Sequence, residues 1–190
     1  MKWNKHSKFS GSHSLLSPSS PHWIRYDGDK LSIVYNNRVR AARGSALHKL
    51  AEDLIRMKVR LRDTNESLNM FVNDAIFYNM VPEQLLFYSP NVFGTADAIS
   101  FDDQVLRIHD LKTGDHPGKP DQLDIYAALF CMEYGWHPNE LEIVNRIYQF
   151  GDVFEWCPTR MRIMNIMATI QNHDELLERL KNDEPAYHIY

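Results

Sequence analysis

The apolar residues of this chain change their spacing near residue 80, and that change restricts the fold to a mixture of helices and sheet. Over 41–62, Leu47, Leu50, Ala51, Leu54, Ile55 and Val59 recur at helical spacing. Gly44-Ser45 supplies an entry to this helix, with Ser45 as the candidate cap. A second helical pattern covers 67–79, with Leu68, Phe71, Val72, Ala75 and Ile76 on one face. The period then shortens. A strand around Leu85 and Phe87 ends at Ser89-Pro90-Asn91, VFGTADAISF (92–101) follows, Asp102-Asp103 turns, and QVLRIHDLK (104–112) makes a third strand. Together these three read as an antiparallel meander. After the loop TGDHPGKP (113–120), residues 120–135 are helical and 140–156 read as two strands joined near Gly151-Asp152. Residues 159–181 form a long amphipathic helix capped by Thr159, whose stripe of Met161, Met164, Ile166, Met167, Ile170, Leu177 and Leu180 reads as core packing. This order predicts an α/β (α+β) domain.

At about 150 residues per domain, the 190 residues predict one domain over 23–190, preceded by a flexible arm over 1–22. A 44% hydrophobic composition is enough for a real core. No apolar run approaches the roughly 20 residues that cross a bilayer, and the first twenty residues lack the apolar stretch of a secretion signal. The expectation is a soluble, intracellular protein with no membrane partner. The net charge of −4 hides an asymmetry: residues 1–62 hold 13 Lys and Arg against 4 Asp and Glu, and the rest hold 8 against 21. Such a split suits a polyanionic partner for the basic part, or two parts that neutralise each other.

The chemistry concentrates in 94–126. Asp110 and Lys112 are two apart on a strand and share one face. Asp97, in the preceding strand, can be their neighbour across the ladder. Two adjacent carboxylates repel unless one is neutral or a cation lies between them. Mg²⁺ is held by one or two carboxylates with water and substrate phosphate, and a bound metal activates water and neutralises charge on phosphorus. Lys112 is then placed to orient water or to hold a phosphoryl oxygen. Gln122 and Tyr126 are i, i+4 on the following helix and can reach Lys112 or a phosphate. His48 lies one position off the apolar stripe of the first helix, and Glu83 opens the strand region.

Each of these residues has a plainer use. Asp110 and Lys112 also fit a surface ion pair, His48 a structural histidine, and Tyr126 a core residue; Glu83 is equally ambiguous. Chance supplies about one acid-x-Lys tripeptide in a chain of 25 acids and 9 lysines. HExxH and Cys/His zinc spacing are absent, as are a P-loop, GxGxxG and GxSxG.

Four segments in order resemble the PD-(D/E)xK nuclease superfamily, in its RecB-like, phage-type exonuclease branch. GSALHKLAEDLI (44–55) is similar to the family's histidine-bearing helix, GTADAI (94–99) to its first aspartate strand, IHDLKTG (108–114) to its acid-x-Lys strand and QLDIYAALF (122–130) to its QxxxY helix. LSPSSPHWI (16–24) is similar to the opening segment of phage-type members, and the likeness spans 16–129. The resemblance implies a restriction-endonuclease-like core, a central mixed sheet flanked by helices. It implies metal ligands at His48, Asp97, Asp110 and the backbone carbonyl of Leu111. Asp97, Asp110, Lys112, Gln122 and Tyr126 form the implied catalytic set.

The implied chemistry is Mg²⁺- or Mn²⁺-dependent hydrolysis of DNA phosphodiesters, as an exonuclease in phage-type recombination, repair or DNA degradation. The site of action is the cytoplasm, the host's if the chain is viral. Two departures from the family pattern stand out. Asp110 replaces the commoner Glu. Cys131 and Cys157 are too few for the four-cysteine iron–sulfur cluster of many relatives, so no such cluster is expected. No helicase part accompanies the nuclease motifs, so the chain acts alone or with a recombination or replication protein. An oligomer is compatible with the sequence but not indicated by it. Arg40, Arg43 and Lys49 are the candidate phosphate track, with Ser17, Ser19 and Ser20 adding hydroxyl contacts. The rival expectation is a non-catalytic nucleic-acid-binding or regulatory protein that retains the nuclease fold.

Overall fold

The computed structural model describes residues 7–9 and 14–183. Residues 1–6 and 10–13 of the expected arm lie outside the described residues. The chain divides into two compact units, 1–45 and 46–190. In the first, the Ser17 carbonyl accepts the Ser20 amide (3.1 Å) and the Trp23 indole N–H (2.9 Å), closing the expected turn before a short 3₁₀ segment, Pro21–Arg25. Helix α1 (Gly28–Arg56) contributes residues to both units. It begins well before the expected Gly44-Ser45. Asp27 is the cap, its Oδ1 accepting the Lys30 amide at 2.7 Å. Ser45 is not a cap: it sits within the helix and donates its hydroxyl to the Ala41 carbonyl at 3.2 Å. The helix also ends earlier than expected. Lys58 turns left-handed (φ 55°), and the Val59 amide returns to the Leu54 carbonyl, so Val59 lies beyond the last turn.

The second unit is an α+β fold built on one five-stranded sheet. Helix α2 (Ser67–Phe77) precedes strands β1 (Val81–Ser89), β2 (Val92–Asp102) and β3 (Val105–Leu111). Helix α3 (Asp121–Tyr134), strands β4 (Glu142–Gln149) and β5 (Asp152–Trp156), and helix α4 (Arg160–Asp183) complete it. The sheet order is β1-β2-β3-β4-β5. The first three strands form the predicted antiparallel meander, β4 pairs β3 in parallel through the α3 crossover, and β5 is antiparallel to β4. The parallel step requires the intervening helix, because a short turn cannot return the chain to the same end of the sheet.

Two apolar layers sandwich the sheet. On one face, Leu86, Ile99, Leu106 and Ile108 pack on Leu123, Ala127 and Phe130 of α3 and on Ile163 and Ile170 of α4. On the other, Ala98, Leu111 and Tyr148 meet Ala51 and Ile55 of α1 and Phe71, Val72 and Ala75 of α2. Thr159 caps α4 as expected, its hydroxyl accepting the Arg162 amide at 3.2 Å. The predicted methionine stripe is only partly core. Ile163 and Ile170 are buried and Ile166 and Met167 pack against them, while Met161, Met164, Leu177 and Leu180 are exposed. The buried spacing selects one narrow stripe. Past Ile170 the helix is held by polar contacts instead: Ser89 and Asn91, at the β1–β2 turn, donate to Asp174, at 2.6 and 2.7 Å. Among the described residues, no helix is long and apolar enough to cross a membrane.

Ile108 is fully buried between sheet and α3. Ile108→Ala is expected to lower stability by about 2–5 kcal/mol, read as a shift of the urea midpoint with unchanged slope.

Candidate active site

Alternation along β3 sends successive side chains to opposite faces, so Ile108 enters one layer, His109 the other, and Asp110 returns to the α3 side. The β2–β3 ladder is registered through Ala98↔His109, which puts Asp97 opposite Asp110 one step further on. Backbone pairing stops there. The Asp97 carboxylate instead accepts the Leu111 amide through Oδ2, at 2.9 Å. Strand β2 changes face at the same point: Ala96 belongs to the α3 layer, and Ala98, two residues on, to the α1–α2 layer. Facing Asp97 on β1 is Glu83, whose φ of 50° is left-handed. Strained backbone and broken pairing at one point of a sheet re-aim side chains.

What they aim at is a shared centre. His48 of α1 brings its Nδ1 to 3.3 Å from Asp97 Oδ2. His48, Glu83 and Asp97 each place one donor atom within 4.8 Å of the others. Asp110 stands beside this group, only 2% exposed. Its carboxylate is met by Lys112, whose Nζ lies 3.0 Å from each oxygen and donates to Oδ1, leaving Oδ2 buried without a hydrogen bond. Lys112 Nζ also donates to Gln122 Oε1 (2.8 Å), and Gln122 Nε2 donates to the Tyr126 hydroxyl (3.2 Å). Tyr126 packs so closely on β2 that a Cβ at Gly94 would lie 3.0 Å from its ring.

The electrostatics match this crowding. Burial, then the Asp97 charge, pushes the Asp110 carboxyl up to about 6, against the lowering pull of Lys112. Burial and Asp97 also raise Glu83. The Asp97 hydrogen bond raises His48 above the usual imidazole value, opposed by burial. Burial raises the Tyr126 hydroxyl. Asp110 and Glu83 are thus crowded by a neighbouring carboxylate in a buried place, and a divalent cation would relieve that repulsion. The grouped donors, two carboxylates from Glu83 and Asp97 with the His48 imidazole, are an oxygen-rich set with one nitrogen that fits Mg²⁺ or Mn²⁺.

Of the residues singled out from sequence, the fold brings His48, Asp97, Asp110, Lys112, Gln122 and Tyr126 together. Leu111 ends β3 between Asp110 and Lys112, with its side chain in the core. Glu83, ambiguous in the sequence, joins the centre, while Asp110 turns toward Lys112 rather than into the tight group of donors. Lys49 follows His48 but is ion-paired to Glu52 (2.9 Å) and Asp53 (3.1 Å) on its own helix. Ser17, Ser19, Ser20, Arg40 and Arg43 belong to the first unit. There Ser17 and Ser19 share a hydroxyl hydrogen bond of 2.8 Å, and the two arginines are exposed on α1. Comparison of the chain with protein-family models, with curated proteins and with solved structures finds no match.

Two outcomes follow from the charge balance. Asp110 is neutral in both folded and unfolded states below about pH 4, and charged in both above about pH 6. Its burial therefore costs stability as pH rises through that window. Without metal, Asp110→Asn should be more stable than the parent protein near pH 8, by up to about 3 kcal/mol, with the difference gone below about pH 4 in thermal melts. Mg²⁺ or Mn²⁺ at a hundredfold excess over Kd should raise parental stability by about 2.7 kcal/mol, a gain that Asp97→Asn abolishes.

Proposed function

We propose that the chain is a metal-dependent DNA nuclease of the PD-(D/E)xK superfamily, in its RecB-like, phage-type exonuclease branch. One observation carries the reading: Lys112 is suspended between a buried aspartate and Gln122, directly beside an acid–imidazole cluster. A surface ion pair would be solvated and would need none of these supports. The four segments that carried the resemblance, far apart in the chain, supply the residues that meet here, apart from Glu83.

His48, Asp97 and Glu83, with Asp110 beside them, are the residues that would hold the ion. When bound, the ion lowers the pKa of coordinated water and neutralises charge on the phosphoryl group. The chain's own groups do the rest. Asp110 and Gln122 fix the Lys112 ammonium, which orients the attacking water or binds a non-bridging phosphate oxygen. Tyr126 holds Gln122 in that position and can itself donate to phosphate. Gly118 is packed so near Lys112 that a Cβ there would lie 3.0 Å from its Cγ, which limits the lysine's motion. Fixing a charged donor before the reaction is how such groups stabilise charge that develops on phosphorus.

Labelled linear duplex, single strands and covalently closed circles test the reading. Cleavage of linear DNA is expected with Mg²⁺ or Mn²⁺ and none with EDTA. Lys112→Ala should slow it by about 10²–10³-fold. Binding without cleavage under every condition would establish the non-catalytic alternative. Cutting of closed circles would replace exonuclease by endonuclease.

A further inference from the structure

The turn between β4 and β5 carries a residue that its geometry disfavours. Phe150 and Gly151 have φ of 56° and 76°. Two successive left-handed residues are the pattern of a two-residue hairpin turn, where Asn-Gly is the preferred pair. A bulky aromatic at the first position is strained, and Phe150 is 67% exposed, so no packing offsets that strain. The turn is nevertheless fixed. The Gly151 amide donates to the Ser67 hydroxyl at 3.0 Å, and a Cβ on Gly151 would lie 2.9 Å from the Asn65 carbonyl oxygen. The fold thus holds an aromatic ring in solvent at a position where the backbone prefers another residue.

Beside that ring lies a cavity of about 560 Å³, walled by Phe150, Phe154, Ile147, Pro117, Gly118 and Pro120. Phe154 is 56% exposed and stacks on Trp156, with ring centroids 5.2 Å apart. The cavity adjoins the candidate centre, because Gly118 is at once its wall and the close neighbour of Lys112. The pairing of Leu111 with Tyr148 puts Lys112 beside the end of β4, two residues from Phe150. The opposite wall is built too. The Gln149 side chain accepts from the Gly118 amide (2.9 Å) and donates to the Gly114 and His116 carbonyls (2.8 Å each). No lining residue is basic, and Asp152 is acidic, so the cavity offers a phosphate no cation. Its apolar and aromatic walls suit the face of a flat, neutral heterocycle.

We propose that this cavity receives an unpaired nucleobase of the DNA strand being cut, which makes single-stranded ends the substrate class. This rests on the nuclease reading above. A paired base enters only at the cost of unpairing and unstacking, whereas every unpaired base offers an aromatic face whatever its identity. Gln149, already engaged by the loop, is not available to read base edges, so discrimination among bases is expected to be weak.

The test uses the full-length protein in EDTA, the condition in which the nuclease reading expects no cleavage. Its probes are fluorescent single strands with normal bases, abasic strands of equal length, and blunt duplex. The parent protein should bind the base-bearing strand about tenfold more tightly than the abasic one, the scale of one stacked base. Phe150→Asn and Phe154→Ala should each erase most of that preference. Phe150→Asn creates the favoured Asn-Gly turn, so its melting temperature should stay level or rise, which separates lost binding from lost folding. Equal binding of base-bearing and abasic strands, or variants that keep the preference, overturns the proposal while Mg²⁺-dependent cleavage still upholds the nuclease. A dimer broken by Phe154→Ala in sedimentation would give the cavity to a second copy of the chain and overturn it. Neither binding nor cleavage of any DNA overturns both readings.

Discussion

The hydrogen bond from the Leu111 amide to the Asp97 carboxylate is the point on which the site turns. It stands where the β2–β3 ladder would have placed a backbone acceptor. By taking that amide, Asp97 ends the antiparallel pairing while keeping the two strands adjacent. The same carboxylate faces His48, so one side chain ties the sheet to α1 and sets the distance between imidazole and acids. The left-handed residue Glu83 on the neighbouring strand adds a second carboxylate to that of Asp97 at the same place. Such conformations persist only where the surroundings over-determine them, and here two apolar layers clamp the sheet from both faces.

The far face of β3 and β4 is held by a different kind of chemistry. The Tyr148 hydroxyl donates to Asp74 at 2.6 Å and meets His109 Nδ1 at 3.1 Å, while Arg146 bridges Asp74 and Glu155. Burial, then the charges of Arg146 and Arg107, pushes His109 down to about 3, so it stays neutral at any ordinary pH. The histidine next to Asp110 in sequence therefore adds no charge to the acids on the opposite face. Alternation separates a neutral histidine from the buried carboxylate beside it.

Much of this arrangement was readable from residue spacing. Period-two patterning put Asp110 and Lys112 on one face, and the i, i+4 spacing of Gln122 and Tyr126 built the support for the lysine. The parts that were not readable share a cause: they depend on backbone conformation or on how much of a face its neighbours cover rather than on periodicity. Ser45 looked like a cap because Gly44 precedes it, but the helix signal continues back to Asp27, whose carboxylate does the capping. Glu83 stayed ambiguous because nothing in VPEQLLF announces a left-handed residue within a strand. The turn expected at Gly151-Asp152 is formed by Phe150-Gly151, since an aromatic is not a usual turn residue. The exposed Met161 and Met164 looked like core because a helical stripe does not reveal how much of it a neighbour covers.

Gln149 gives the 113–120 loop a property that loops seldom have. One amide side chain, rooted in the last residue of β4, fastens that loop at Gly114, His116 and Gly118. The loop is thereby a stiff continuation of the parallel strand pair, and its length becomes a fitted dimension. An added or deleted residue there would displace Gly118 from Lys112, so this connection should tolerate changes in length far less readily than a surface loop ordinarily does.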